Sequence, residues 1–259
     1  MPAGSATRPL VERRQVLEAG GALALATLAL AALALVALAW APRPAVAGAI
    51  EVAPVSADLA PGQQAGVITV TNRDTTATSV QVRAFAWTQD ATSDQLTPTQ
   101  DLMVSPPLFQ LAPGASQVVR MVLRAPAQGR ETAFRLLVDQ IPGPTDAGQQ
   151  VRFALRLSIP VFAQAVASGR AELEWQLRPG GELTVVNRGT RRAQLAQLSL
   201  TLPGGRAPLA LTGPENPYVL PGQERRWLAR GAALRPGSTV QASGTGEAGR
   251  FTVDLPVGP

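Results

Sequence analysis

From Ile50 to the end of the chain, apolar residues come in short alternating or continuous runs, and Pro, Gly, Asn or Asp closes each run. Residues 80–87 show the pattern best: Val80, Val82, Ala84 and Ala86 alternate with Gln81, Arg83, Phe85 and Trp87. A period of two puts alternate side chains on opposite faces of a strand, whereas a helical stripe needs a period near 3.6. No helical stripe is present in this part of the chain, so packed sheets are the remaining way to bury its apolar residues.

The runs at 50–59, 66–71, 80–87, 108–111, 117–124, 132–141 and 151–162 predict about seven strands with frequent turns, the pattern of an immunoglobulin-like sandwich. A polar loop is expected between Trp87 and Leu108. The second half repeats the grammar at 171–177, 182–187, 193–202, 207–212, 225–228, 239–243 and 251–255, with Pro-Gly turns at 179–180, 221–222 and 236–237. The Gly-rich stretch 244–249 reads as a loop, and no strand-to-helix context makes it a phosphate site. The fold class is therefore all-β, with residues 48–164 and 165–259 each forming a sandwich and a hinge near 165–168.

Composition removes most chemistry. The chain has no Cys and no His, and every basic side chain is Arg. Disulfides, thiolate chemistry, His-based acid–base catalysis and the Schiff-base lysine are excluded. Asp90, Asp94, Asp101 and Asp146 lack the alternate spacing of a calcium loop. Glu172 and Glu174 read as a surface pair on one strand face, and Trp87, Trp175 and Trp227 as core or inter-domain packing residues. No cofactor or metal is expected. The formal charge of +5 is scattered, without a basic stripe interleaved with aromatics, so no nucleic-acid partner is expected either.

Residues 1–47 are a different material. Arg8, Arg13 and Arg14 precede an apolar Ala/Leu run of about 19 residues ending at Trp40, followed by Pro42, Pro44 and the small-x-small triplet Ala45-Val46-Ala47. This is the layout of a secretory signal, and the same run is long enough to serve as an uncleaved N-terminal membrane anchor. Either use exports the rest of the chain, and the only membrane contact expected is through this segment if it is retained.

Four stretches resemble periplasmic pilus-assembly (fimbrial) chaperones: Asn72-Arg73-Asp74 after an alternating strand, Leu111-Ala112-Pro113-Gly114 before Val118-Val119-Arg120, Phe134-Arg135-Leu136 running into Ile141-Pro142, and Leu155-Arg156-Leu157-Ser158-Ile159-Pro160-Val161-Phe162. The Pro-Val-Phe ending is similar to the branch serving spore-coat-protein-U-type or archaic pili. The resemblance implies two Ig-like domains in an L-shaped arrangement, a periplasmic location, a pilus or fimbrial subunit as partner, and delivery to an outer-membrane usher. The implied mechanism is strand donation: an edge strand supplies ladder hydrogen bonds and apolar side chains to a subunit that lacks its last strand. Val151, Phe153, Leu155, Leu157 and Ile159 alternate on one face of the closing strand and form the candidate donor row. Each side chain buried in a subunit would contribute roughly 1.5–3 kcal/mol. Alternation alone equally allows that face to pack into the protein's own sandwich.

One departure stands out. The family places two basic residues in the cleft, which bind the subunit's C-terminal carboxylate. Alignment puts Ser56 and Pro160 at these positions, and neither is a cation. Arg83, Arg120, Arg135 and Arg156 are the nearest candidate carboxylate anchors, each with a solvated strand-face reading beside it. Asp139 reads as a turn or strand-end acid, and a cis bond before Pro142 is conceivable. The competing function is an Ig-like exported structural or adhesive surface protein without strand donation. An enzyme is not expected.

Overall fold

The computed structural model describes residues 50–141, 154–205, 207–231 and 234–259. Residues 1–47, expected to direct export, and Val151, Phe153, Pro142 and Asp146 lie outside the described residues. Every element among the described residues is a β-strand.

The first ten strands are β1 (Ile50–Ala53), β2 (Ala57–Leu59), β3 (Ala65–Asn72), β4 (Thr78–Gln89), β5 (Asp94–Pro98), β6 (Leu102–Ser105), β7 (Leu108–Leu111), β8 (Ser116–Leu123), β9 (Thr132–Ile141) and β10 (Arg156–Ala163). They make two sheets, β1-β3-β8-β6 and β2-β10-β9-β4-β5, with β7 also pairing β4. Alternation does the work the sequence implied: along β8, Val119, Met121 and Leu123 are buried while Gln117, Val118, Arg120 and Val122 face outward or are only partly covered. Ile68, Val70, Val82, Leu136, Val138 and Val161 join them in one core between the sheets.

The second set is β11 (Leu173–Leu177), β12 (Glu182–Asn187), β13 (Ala193–Gln194), β14 (Ala196–Thr201), β15 (Ala210–Thr212), β16 (Tyr218–Val219), β17 (Glu224–Arg230), β18 (Thr239–Gly246) and β19 (Gly249–Pro256). Its sheets are β11-β12-β17-β15, β14-β18-β19 and the short pair β13-β16. Leu183, Val185, Leu200, Val219, Trp227 and Val240 form a separate core. The fold is thus all-β, with two Ig-like sandwiches.

One sequence device recurs in both sandwiches. Asn72 ends β3 and Asn187 ends β12, each before an Arg, and both are fully buried. Asn72 Nδ2 donates to the carbonyls of Thr76, Leu111 and Ala112, and its Oδ1 accepts from Asp74 N–H. Asn187 Nδ2 donates to Arg191 and Val219 carbonyls, and its Oδ1 accepts from Glu172 and Gly189 N–H groups. A buried amide that satisfies turn carbonyls otherwise cut off from water fixes where each strand stops.

Three differences from the sequence expectation have clear causes. The expected loop after Trp87 contains β5 and β6. β5 pairs with 85–89 of β4 around a turn in which Asp90 Oδ1 accepts N–H bonds from Thr92 and Ser93, yet β5 buries no side chain and so carries no apolar signal. The Gly-rich stretch is not a free loop: 244–246 and 249 are paired in the β18–β19 hairpin. The run at 193–202 is broken into β13 and β14, with a register shift between Ala196 and Ser199 and Gln197 at φ 55°.

Candidate subunit-binding edge and junction

β10 runs antiparallel to β9, from Arg156 opposite Asp139 to Ala163 opposite Thr132. On its other side it has only the short parallel pairing of 161–163 with 57–59 of β2. From Arg156 to Pro160, therefore, β10 is a sheet edge. Gln140 N–H donates to Leu155 C=O at 2.9 Å, which sets the phase: odd-numbered residues of β10 exchange bonds with β9. The main-chain N–H and C=O groups of Arg156 and Ser158 consequently point out from the open edge. Gln164 N–H donating to Leu59 C=O agrees with that phase. Pro160 also fits it, since a proline at an odd position would break the β9 ladder.

The side chains of the candidate row divide along the strand. Ile159 is buried in the protein's own core with Val161 behind it, while Leu157 and Leu155 pack against that core and stay half-exposed. The face that forms the core at one end of β10 thus emerges toward solvent at the other.

The outward face of the same sheet carries the cations. The parallel register Val161–Ala57, carried back one residue, sets Ser56 level with Pro160. Across β9, Arg135 stands directly opposite Pro160, and on its other side opposite Phe85. Its guanidinium lies 3.8 Å above the Trp87 ring. Burial pushes the Arg135 pKa down, against the smaller opposing pull of Asp94 and Tyr218. Among the described residues no carboxylate lies within ion-pair distance of it. A stacked cation without an acid partner therefore sits one strand away from the position where the cation was missing.

The other three arginines are placed differently. Arg83 and Arg156 both bind Asp139, Arg83 Nη2 at 2.6 Å from Oδ2 and Arg156 through Nε to Oδ1. Burial opposes ionisation of Asp139, but the hydrogen bonds from Arg156 and Arg83 outweigh it and hold its carboxyl below the ordinary range. Asp139, two residues from the end of β9, is thus a strand-end acid that bridges two cations. Arg120 is on β8 in the other sheet, opposite Val67 and Ser105, and with Ser56 and Gly66 lines a groove of about 480 Å³.

Of the residues that join the sandwiches, sequence reasoning named Trp87, as a core or inter-domain packing residue, and missed the others. Trp87 and Phe162 of the first sandwich meet Tyr218 and Leu220 of the second, with ring centroids 5.8 Å apart for Trp87–Phe162 and 5.2 Å for Phe162–Tyr218. Arg192 is buried above Phe162, 3.7 Å from the ring centroid, and ion-pairs with Glu131 at 2.8 Å, Asp58 at 2.8 Å and Glu247 at 3.0 Å. Burial raises the Glu131 pKa despite the attraction of Arg192. On the far side of the junction, buried Arg225 reaches Asp94 at 3.3 Å and the carbonyl of Ser93 at 2.9 Å, and Arg226 N–H donates to Ala91 C=O. Only the fold brings these charges together, so no spacing in the sequence announces them.

No curated protein matches the chain by sequence. By fold, it is similar to a chain of the CsuC–CsuE chaperone–tip adhesion subunit pre-assembly complex from archaic chaperone-usher Csu pili of Acinetobacter baumannii (23% identity, TM-score 0.55, covering 69% of this chain and 89% of that one). It is also similar to a chain of the Salmonella enterica SafA pilin–SafB chaperone complex (19%, TM-score 0.59, 80% and 96%) and to the E. coli chaperone DraB (22%, TM-score 0.57, 80% and 96%). At these identities the likeness speaks for the fold. Residues 49–165 match the family described as pili and flagellar-assembly chaperone, PapD N-terminal domain. Residues 49–165 thus form a domain of the pili and flagellar-assembly chaperone family, which is not a family of enzymes.

Proposed function

We propose that this protein is a periplasmic chaperone that binds pilus or fimbrial subunits by donating β10 and its N-terminal extension, and that it hands them to an outer-membrane usher. The observation that carries this reading is the open edge of β10 from Arg156 to Pro160, with apolar side chains that are half-exposed there and buried further along. A long strand edge of this kind attracts other strands and is normally covered or blunted; a subunit lacking a strand would cover it. Val151 and Phe153 continue the same alternation beyond Leu155 and belong to the proposed donor row.

Arg135 is the proposed anchor for the subunit's C-terminal carboxylate. It stands across the strand pair from Pro160, it is partly desolvated, and its planar donor fork suits two carboxylate oxygens. Arg83 and Arg156 share the single carboxylate of Asp139, so both guanidinium groups are already engaged, whereas Arg135 has no acid partner among the described residues. Export follows from residues 1–47 read as a signal or an anchor.

Co-export of the chain with an adjacent candidate subunit, followed by purification through a tag on this chain, tests the proposal. Ser158→Pro removes an N–H that faces only the open edge, so it should abolish retention while the chaperone stays folded. Leu155→Arg should do the same by placing a charge in the apolar row. Retention by both variants would remove β10 from the mechanism.

A further inference from the structure

The second sandwich has an open seam. β11 and β19 are edge strands of different sheets. They meet in parallel only at Leu177 and Val257, where Gly258 N–H donates to Leu177 C=O at 2.8 Å. Away from this bridge they share no ladder, and a groove of about 410 Å³ lies between them. Its floor is apolar and comes from alternate residues of both strands: Leu173 and Trp175, Phe251 and Val253, all half-buried against the second core. Trp175 and Phe251 pack with centroids 6.1 Å apart.

Both walls expose main chain. Arg188 N–H donates to Glu172 C=O at 2.7 Å and Arg178 N–H to Glu182 C=O at 2.9 Å, so even-numbered residues of β11 bond β12. The N–H and C=O groups of Leu173 and Trp175 therefore face the groove. On β19, Val257 N–H donates to Ser238 C=O, which leaves Thr252 and Asp254 turned the same way.

The unpaired charge at the groove is a cation, since Arg170 pairs with Glu172, and Arg191 and Arg192 have acid partners too. Four arginines and one glutamate line the groove. Arg192 is held at the junction by Glu131 and Asp58, and Glu247 is shared between Arg191 and Arg192. Arg250 is exposed at the mouth and makes no ion pair among the described residues.

We propose that this seam binds an extended acidic peptide segment of a partner protein, which adds to β11 as an extra strand. Alternate apolar side chains of the segment would sit on the Trp175–Phe251 floor, and its carboxylates would face Arg250 at the mouth, where Arg170 is already paired with Glu172. Main-chain groups at Leu173 and Trp175 recur at the strand repeat, which a peptide backbone can match and a hydrocarbon chain cannot. The site is separate from the β10 edge and stands whether or not β10 is donated.

The probe is an acetylated, amidated peptide of about eight residues alternating Leu and Asp, long enough to span a strand of ordinary length. Its controls replace Asp by Lys or separate the Leu and Asp into blocks. Binding is followed by tryptophan fluorescence and by amide exchange on the exported protein. The alternating acidic peptide should bind saturably and slow exchange at Leu173 and Trp175. The Lys peptide should bind about tenfold more weakly or less, and Arg250→Glu should weaken the acidic peptide about tenfold. Arg250→Glu should leave subunit retention as in the wild type, which separates this site from strand donation by β10. No saturable binding, equal binding of the block peptide, or binding without slowed exchange at Leu173 and Trp175 would overturn the proposal.

Discussion

Replacing Arg135 by Met separates anchoring from folding. In the free protein the guanidinium stacks 3.8 Å over Trp87 and has no carboxylate partner among the described residues. Such stacking contributes about 0.5–2 kcal/mol, while keeping a desolvated cation without an acid costs an amount of similar size. Met keeps the bulk and a polarizable contact with the indole. The stability of Arg135→Met should therefore lie within about 1 kcal/mol of the wild type, read from urea unfolding. Binding should change far more. A hydrogen bond to a charged group is worth about 1.5–3 kcal/mol, so losing the anchor should raise the subunit Kd roughly 10- to 100-fold. The decisive form is a double cycle: wild type and Arg135→Met, each titrated with a subunit whose C-terminal carboxylate is free or amidated. Amidation should weaken binding to the wild type and leave binding to the variant almost unchanged. Equal effects of amidation on both proteins would refute the assignment, as would a variant that unfolds easily yet binds normally.

Other perturbations follow from the same geometry. Arg192→Met strands the buried Glu131 and should destabilise the chain by about 3–5 kcal/mol, whereas Arg192→Met with Glu131→Gln should recover much of the loss in urea titrations. Asn72→Ala removes three donated bonds from buried or part-buried carbonyl acceptors and should cost about 1–3 kcal/mol, with Asn187→Ala doing the same to the second sandwich. Asp139 has a lowered folded pKa, so it adds stability that is present above the unfolded value and is lost as pH falls through the folded one. Asp139→Asn should flatten acid destabilisation in that window, measured as urea midpoint against pH.

Much of the architecture was legible in the residues because burial and alternation coincide. Along β8 the buried side chains fall where a two-residue period puts them on the inner face, while β9 and the core half of β10 bury residues on both faces, Ala133 and Phe162 among them at the junction. The Asn-Arg turns ending β3 and β12 carry their own polar signature. β5 was illegible since pairing and an Asp90-capped turn hold it, not burial. The 244–249 stretch misled because glycine is common in loops, yet here its residues pair across a hairpin. Among the four candidate cations named from the sequence, nothing in the residues singled out Arg135. Only the β9–β10 register shows that it stands opposite Pro160, which is what motivates proposing it as the anchor. The junction charges share this property: Arg192 and Glu131 are 61 residues apart in sequence and meet only after both sandwiches have formed.

Strand donation is tested most directly at two amides. Arg156 and Ser158 turn their N–H groups to the open edge of β10, whereas Leu157 is in phase to bond β9 and serves as an internal reference. Amide exchange on the purified chaperone–subunit complex should find Arg156 and Ser158 slowed to the rate of the ladder amides, against rapid exchange in the free chaperone. If both exchange at the free rate in a saturated complex, the subunit binds elsewhere and β10 is not the donated strand.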